Sequence, residues 1–443
     1  MAEFYRERGG FGVDARMKHG LEERPFEEVP PPPEAVVFLR QHLGPPGRPL
    51  VREGQRVVAG QKIADGDDLL SVPVHSPVTG TVVGIRSVIH PMSGEEEQAL
   101  VIRTEDETLP RPTEETDPGT LSPEEIVARI RAAGVVGLGG AGFPTHAKLK
   151  AARGVRYLLI NAKESDPNVA CDIRLLRERP REVVEGIEVL ARAIGNPEVI
   201  VATRTQEGEL PEFEALLRER GHRLVHIRPC YSVGSERLLV REILGKEVPL
   251  GRYPPDVGVL VHNVGTAFAA GQAVRYGLPL VSRGLTFWAK GSGGRNLWVR
   301  VGTPVRHILG YLGLEEARFG RFIFGSALMG WAIPDPDVPV VKVTTGLVAL
   351  RSGEPTPYGN PLPCMRCGYC DSVCPVRIYP SLILAAARRN DGAALRRLKL
   401  AACIECGLCS YVCPSRIRFT AVLRHGKRLL RESAPPGSPR TSS

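Results

Sequence analysis

Ten cysteines stand in this 443-residue chain, and eight of them fall between Cys364 and Cys413 in two copies of one spacing. The first copy is Cys364-x2-Cys367-x2-Cys370-x3-Cys374-Pro375, and the second is Cys403-x2-Cys406-x2-Cys409-x3-Cys413-Pro414. This is the run that holds [4Fe–4S] clusters. Three thiolates at short intervals wrap one loop around three irons of a cube, and the fourth corner takes a ligand from elsewhere. Where two such runs share a domain, the fourth Cys of each serves the other cluster. The spacing therefore assigns Cys364, Cys367, Cys370 and Cys413 to cluster 1, and Cys403, Cys406, Cys409 and Cys374 to cluster 2. Two zinc sites would use the C-x2-C pairs but leave the third step and the trailing Cys-Pro idle. Pro375 and Pro414 turn the chain away after each distant ligand, because proline fixes φ and has no N–H to donate.

The runs must be positioned by what lies between them. That spacer contains SLILAAARR and GAALRRLKL, rich in Ala, Leu and Arg and so helical. A helical two-cluster ferredoxin module over 351–432 is expected rather than a compact β-type one. The charge agrees. The whole chain carries a formal +9, and residues 361–432 hold thirteen Lys/Arg against four Asp/Glu, so the excess sits in this module. It compensates anionic clusters and offers a docking face. No nucleic-acid motif accompanies it.

Length allows about three domains. The N-terminus, MAEFYRERGG, is polar, with no secretory pattern, and no apolar run approaches the ~18–20 residues that span a bilayer. Cluster thiolates call for a reducing compartment, so a cytoplasmic protein without a direct membrane span is expected.

Residues 1–105 read as short β-runs broken by Gly54, Gly60, Gly66, Gly80 and Gly84, after an extended Pro30–Glu34 lead. Residues 106–121, nearly all within the run TEDETLPRPTEETDPGT from Thr104 to Thr120, are acidic and Pro-rich and read as a linker. At Ser122-Pro123-Glu124-Glu125 a helix starts with cap, N1 proline and N3 acid in place. Beyond it, Gly137, Gly139, Gly140 and Gly142 form a glycine loop with Lys148 after it. Such loops let backbone N–H groups approach an anion. This one follows a helix, so it is neither the Rossmann fingerprint nor a P-loop. The buried run VRYLLINAKESDP then puts Asn161, Glu164 and Asp166 at a strand's C-terminal end, where open α/β sheets bind ligands. Helix and strand patterns alternate to about residue 275, a mostly parallel sheet. Residues 276–350 give strand, a Gly291–Gly294 hairpin turn, strand and helix, with no catalytic group. The tail 433–443 reads as disordered. Cys171 and Cys230 read as buried thiols, and His146 and His262 as structural.

GLGGAGFPTHAKL, NAKESDP, YSVGSER and NVGT, in this order, resemble the C subunit of the Rnf electron-transport complex, RnfC, and more distantly the flavoprotein subunit of respiratory complex I. The pattern V-x-x-G-Q-x-V-x-x-G-Q-x-I-A followed by V-H-S-P-V-T-G-T-V resembles the barrel-sandwich hybrid of biotinyl and lipoyl carriers. No lysine lies between Lys62 and Val74, so a docking domain is expected, not a swinging arm. The resemblance covers about Phe11 to Leu430. It implies a multidomain α/β plus β architecture: barrel-sandwich hybrid (1–105), FMN/NADH-binding α/β domain (122–275), β-grasp-like SLBB domain (276–350) and ferredoxin domain (351–432). It implies FMN, NADH as reductant and two [4Fe–4S] clusters.

Carried over residue by residue, Gly137, Gly139, Gly140, Gly142 and Lys148 match the flavin phosphate loop. Asn161 and Glu164 match a polar turn beneath the isoalloxazine. Asp166 stands where the family has Glu, near nicotinamide or ribose, which makes Glu164 and Asp166 the catalytic candidates. Tyr231, Gly234 and Glu236 match a second flavin and nucleotide segment, and Asn263 and Thr266 a third. Lys163, Ser165, Asp166 and His262 depart from the pattern; a cation at 163 raises a flavin potential or points to solvent. The bland alternatives are that Glu164 and Asp166 cap a helix start, Lys148 is a surface lysine and Tyr231 is core. The function implied is an NADH-oxidising iron–sulfur flavoprotein subunit delivering electrons to other subunits of a complex, on the cytoplasmic face of the membrane. Its rivals are a soluble subunit of another reductase, such as a corrinoid reductase, and a flavin-free docking subunit that carries clusters only.

Overall fold

A computed structural model describes Lys18 and residues 20–152, 154–227, 231, 233–353 and 360–432. Cys230 and the tail 433–443 lie outside these. The N-terminal span supplies β1 (Phe26–Glu28), β2 (Glu34–Phe38), β3 (Arg48–Pro49), β4 (Arg56–Val57), β5 (Lys62–Asp65), β6 (Val74–His75), β7 (Thr79–Ile89) and β8 (Glu96–Asp106). Two sheets, β2-β8-β7-β4 and β3-β5-β6, face each other across a core of Val37, Val57, Ile63, Val74, Val82 and Ile102. β1 takes no part in either. It crosses to a later sheet. The expected linker is strapped down rather than free: Thr113 and Thr116 donate backbone N–H groups to the carbonyls of Tyr276 and Arg275 at 2.9 and 2.8 Å.

The next span holds α1 (Pro123–Ala132), α2 (Thr145–Lys150), β9 (Tyr157–Ala162), α3 (Cys171–Glu178), α4 (Pro180–Ala193), β10 (Glu198–Thr203), α5 (Pro211–Glu219), β11 (Arg223–His226), α6 (Glu236–Leu244), β12 (Val259–Asn263) and α7 (Val264–Tyr276). α1 starts with the full capping box, Ser122 and Glu125 exchanging hydrogen bonds. The sheet is all parallel in the order β11-β10-β9-β12. α4 and α7 cover one face so closely that a Cβ on Gly186 would stand 1.9 Å from the Ala267 carbonyl.

Then come β13 (Ser282–Ala289), β14 (Gly293–Arg300), α8 (Val305–Tyr311), β15 (Phe319–Phe324), β16 (Trp331–Ile333) and β17 (Gly346–Arg351). They form one sheet, β1-β14-β13-β17-β15-β16, whose edge strand β1 pairs in parallel with β14 through Phe26↔Asn296. The β13–β14 hairpin turns where the glycines stand. The C-terminal span has α9 (Tyr369–Ser372), α10 (Pro380–Arg388), α11 (Gly392–Arg397), α12 (Leu408–Tyr411) and α13 (Phe419–Glu432), packed around Ile383, Leu395, Leu400, Phe419 and Leu423. Among the described residues no helix is long and apolar enough to cross a membrane.

Candidate functional site

The parallel sheet sets the place of the site. From β9 the chain steps outward through β10 to β11, then returns to the other side of β9 as β12. The crevice outside the carboxyl ends of β9 and β12 is therefore the topological switch point, where open α/β sheets take ligands. Asn161 and Asn263 are register partners there. Asn161 Nδ2 donates to the Gly234 carbonyl at 2.8 Å, and Asn263 caps α7 by accepting from Gly265 N at 2.8 Å.

The glycine loop lies against the same crevice. Gly137 N–H donates to the Phe143 carbonyl at 2.9 Å, closing the loop. Thr266 Oγ1, fully buried, accepts from Leu138 N at 2.9 Å and ties the loop to α7. A Cβ on Gly139 would stand 2.8 Å from Asn263 Cβ, so only glycine lets the loop seat here, while a Cβ on Gly140 would meet nothing within 4 Å. Gly142, at φ +69°, accepts from Leu43 N at 3.0 Å. A backbone loop with open space at Gly140, close to a helix start, fits a phosphate. Lys148 and Glu236, both expected at the site, pair with each other across it.

Glu164 does serve a helix start. Its carboxylate accepts from Asp172 N at 2.7 Å and Ile173 N at 3.5 Å, capping α3. Asp166 is partly buried, with its Oδ1 enclosed and unpartnered; burial pushes its carboxyl up, against a hydrogen bond to Ser326 and the charge of Lys18. Lys163 is fully buried and does not reach solvent, which removes that option for it. His262 is buried with Nε2 unpartnered, and burial together with Lys148 holds it well below the usual histidine range. His146 bonds the Leu69 carbonyl through Nε2 at 3.0 Å, a structural role.

Several groups at this turn escape a reading by motif. Asp172, on α3, accepts from Asn263 Nδ2 at 2.5 Å, and burial and Glu164 push it up to about 7. Cys171 beside it is buried, and its thiol is pushed well up by burial and by Asp172. Arg283 reaches in from β13, and Lys18 from the N-terminal segment. Asp172 follows Cys171 at a helix start, a position that could have been flagged; Arg283 and Lys18 carry no local signal.

Tyr231 faces the cysteine runs, with Asp166 close enough for its charge to act on the ring hydroxyl. It is buried, and its hydroxyl donates to the Cys406 carbonyl at 2.8 Å. Tyr231, Cys406 and Leu408 form a small core with Leu328, Val373 and Ile404 around it. Gly234, a few residues on, holds Asn161. One short segment thus touches both the crevice and the second run.

The eight cysteines fall into two groups. Cys364, Cys367, Cys370 and Cys413 line one cavity. Cys374 lies with Cys403, Cys406 and Cys409, close enough that its charge acts on all three. Burial pushes the thiols of Cys370 and Cys406 up to about 12. Charged thiolates in such pockets require a cationic partner, and an iron–sulfur core supplies one. Each donor set fits a cubane.

Comparison with known proteins follows this layout. Residues 7–107 match the RnfC barrel sandwich hybrid domain, 130–272 the Nuo51 FMN-binding domain and 363–417 a 4Fe-4S dicluster domain. Fold and site together define an iron–sulfur flavoprotein of electron transport. Two relatives, each named as the C subunit of an ion-translocating oxidoreductase complex, illustrate the likeness. That of Rhodobacter capsulatus is 38% identical over 405 residues, covering 87% of this chain and 76% of its own. That of Pseudomonas aeruginosa is 40% identical over 368 residues, 80% of this chain and 47% of its own. The chain belongs to this family, RnfC. Among solved structures, an NAD+-reducing [NiFe]-hydrogenase chain in the H2-reduced state shares the fold at TM-score 0.52 and 19% identity, over 73% of this chain and 64% of that one. A second, from the air-oxidised state, aligns at TM-score 0.50 and 14% identity, over 94% and 91%.

Proposed function

We propose that the chain takes electrons from NADH at an FMN held in the β9–β12 crevice. Cys374, Cys403, Cys406 and Cys409 would hold the enclosed cluster and Cys364, Cys367, Cys370 and Cys413 the exposed one, and the pair would supply the one-electron route to another subunit of an ion-translocating complex, on the cytoplasmic face of the membrane. FMN, when bound, supplies the exchange between a two-electron donor and one-electron acceptors. The residues position and tune. The Gly137–Gly142 loop receives the phosphate, with Lys148 and Glu236 at its side. Asn161 and Asn263 floor the crevice, and Glu164, Asp166 and Asp172 set its charge. The thiolates hold two clusters in the crossed pattern. The sheet built on β13–β17 is read as the SLBB unit, a spacer whose loop at Leu328 meets the second run.

The observation that carries this reading is the pair of contacts made by Gly234 and Tyr231, three positions apart. It holds Asn161 in the crevice at one end and the Cys406 loop at the other. The test is anaerobic titration of reconstituted protein with NADH, followed by absorbance and EPR. Flavin bleaching followed by reduction of both clusters is expected. Protein without flavin, or clusters that stay oxidised with NADH and NADPH, overturns it. The Lys148–Glu236 pairing favours a second reading, a flavin-free conducting subunit, since the loop's cation is already engaged. Tight FMN binding sinks that one.

A further inference from the structure

Part of the charge at the crevice arrives from outside the α/β unit. Lys18 and residues 20–28 form a strap from β1, at the edge of the mixed sheet, to the turn after β9. It is fastened along its length. Asn296 Nδ2 donates to the carbonyls of Leu21 and Arg24 at 2.6 and 3.0 Å, and Arg24 Nη1 to the Gly294 carbonyl at 2.7 Å. Arg174 Nη1 donates to the Glu23 carbonyl at 3.1 Å, and Phe26 N to Glu178 Oε1 at 2.7 Å. At the far end Lys18, 7% exposed, donates to the carbonyls of Glu164 and Asp166 at 2.8 and 3.4 Å. Its Nζ lies 3.5 Å from Glu164 Oε2 and 3.9 Å from Glu22 Oε1, and Glu22 also pairs with Arg204 at the end of β10.

We propose that Lys18 is a positioning residue for the electron-input site, fixing the Glu164–Asp166 turn through its two carbonyls and the Glu164 carboxylate, so that the strap completes a crevice the α/β unit leaves unfinished. The inference rests on the crevice being the flavin and nicotinamide site. A buried ammonium costs several kcal/mol unless paired and hydrogen-bonded; the hydrogen bonds of Lys18 fall on this turn and its ion pairs on the turn and the strap, with Arg204 the like charge beside it. Asp172 is faced by Glu164 from the turn, Asn263 from β12, Arg283 from β13, Cys171 on its own helix and Lys18 from the strap. Of these, Lys18 and Arg283 are the cations. Removing Lys18 raises both Asp172 and Asp166 further, so they take up protons at higher pH.

The test compares reconstituted K18M and K18R with the parent chain. In K18M the KM for NADH, with ferricyanide as acceptor, rises about tenfold, the worth of one charge-assisted hydrogen bond, with kcat nearly unchanged. The acidic limb of its kcat/KM profile moves to higher pH, and flavin-free protein titrated with FMN binds it more weakly. K18R restores all three. If K18M does not fold, K18Q, which keeps an amide donor but loses the charge, gives the same comparison. A variant whose melting temperature alone falls, with KM, pH limb and FMN affinity unchanged, overturns the proposal while leaving the flavin reading intact. A parent chain that neither binds FMN nor responds to NADH removes both.

Discussion

The two cysteine runs have one backbone and two environments. Arg366 and Glu405 sit at φ 58° and 54°, Gly368 and Gly407 at 75° and 80°, Arg377 and Arg416 both at 55°. Each run ends in a one-turn helix, α9 or α12. Yet Cys364 and Cys367 are exposed, while Cys403, Cys406 and Cys409 are buried. Around the first run Leu362, Met365, Tyr369, Tyr379 and Leu382 are each more than half exposed. The second run is enclosed by Tyr231 and Leu328. The repeat specifies the local loop; the surroundings decide which loop faces inward. A symmetric sequence has made two unlike loops, the second enclosed and the first open to solvent.

The sharpest way to break that comparison is to remove the crossing ligands one at a time. C374S should delete cluster 2, so that NADH no longer reduces cluster 1; C413S should delete cluster 1 and leave cluster 2 reducible. Iron analysis and EPR decide it, and equal loss of both clusters in either variant would refute the crossed assignment. Next in size, a chelator with mild oxidant should strip cluster 1 first, because two of its ligands face solvent. Simultaneous loss of the two EPR signals would erase the distinction between inner and outer.

Smaller effects probe the protein around the loops. Glu405 in the second run accepts from Lys427 at 2.7 Å and Arg424 at 2.8 Å. Burial would push its carboxyl up, but these two cations hold it below the usual range. A lowered folded pKa gives stability that is present above the unfolded value and lost as pH falls through the folded one. E405Q should therefore cost about 3 kcal/mol at neutral pH and lessen the loss of stability in acid, measured by thermal unfolding. R366Q, exposed at the matching position of the first run, should cost under about 0.5 kcal/mol. The glycine pair makes the same comparison in the backbone. G368A loses about 1–2 kcal/mol to its left-handed backbone. G407A should cost more, since its Cβ would stand 2.6 Å from the Leu328 carbonyl, and equal melting temperatures would contradict the enclosure of the second run.

What could be read from the sequence was what local chemistry dictates. The cysteine spacing, the capping box at Ser122 and Glu125, the helices between the runs and the β13–β14 turn all depend on residues within a few positions of each other. So did the glycine loop, the strand ends at Asn161 and Asn263, and the lysine-free turn of the N-terminal sheets. α3 went unread because its cap, Glu164, lies in a loop several residues upstream rather than at the N-cap position. The contact of Tyr231 with Cys406, the burial of Lys163, and the charges of Arg283 and Lys18 follow only from tertiary packing. The departure of β1 from its own span is of the same kind: three residues with no strong pattern join a sheet that forms far along the chain.

That strand also sets an order in time. Arg24 and the Gly294 carbonyl it holds are 270 residues apart. While the chain is being made, the strap can meet α3 and the turn after β9 but lacks its sheet partner until β14 has emerged, and contacts of such separation form late. The α/β unit can close its sheet and its glycine loop well before then. The strap's anchorage on that sheet would come only after most of the chain exists, long after the turn that Lys18 meets has been made.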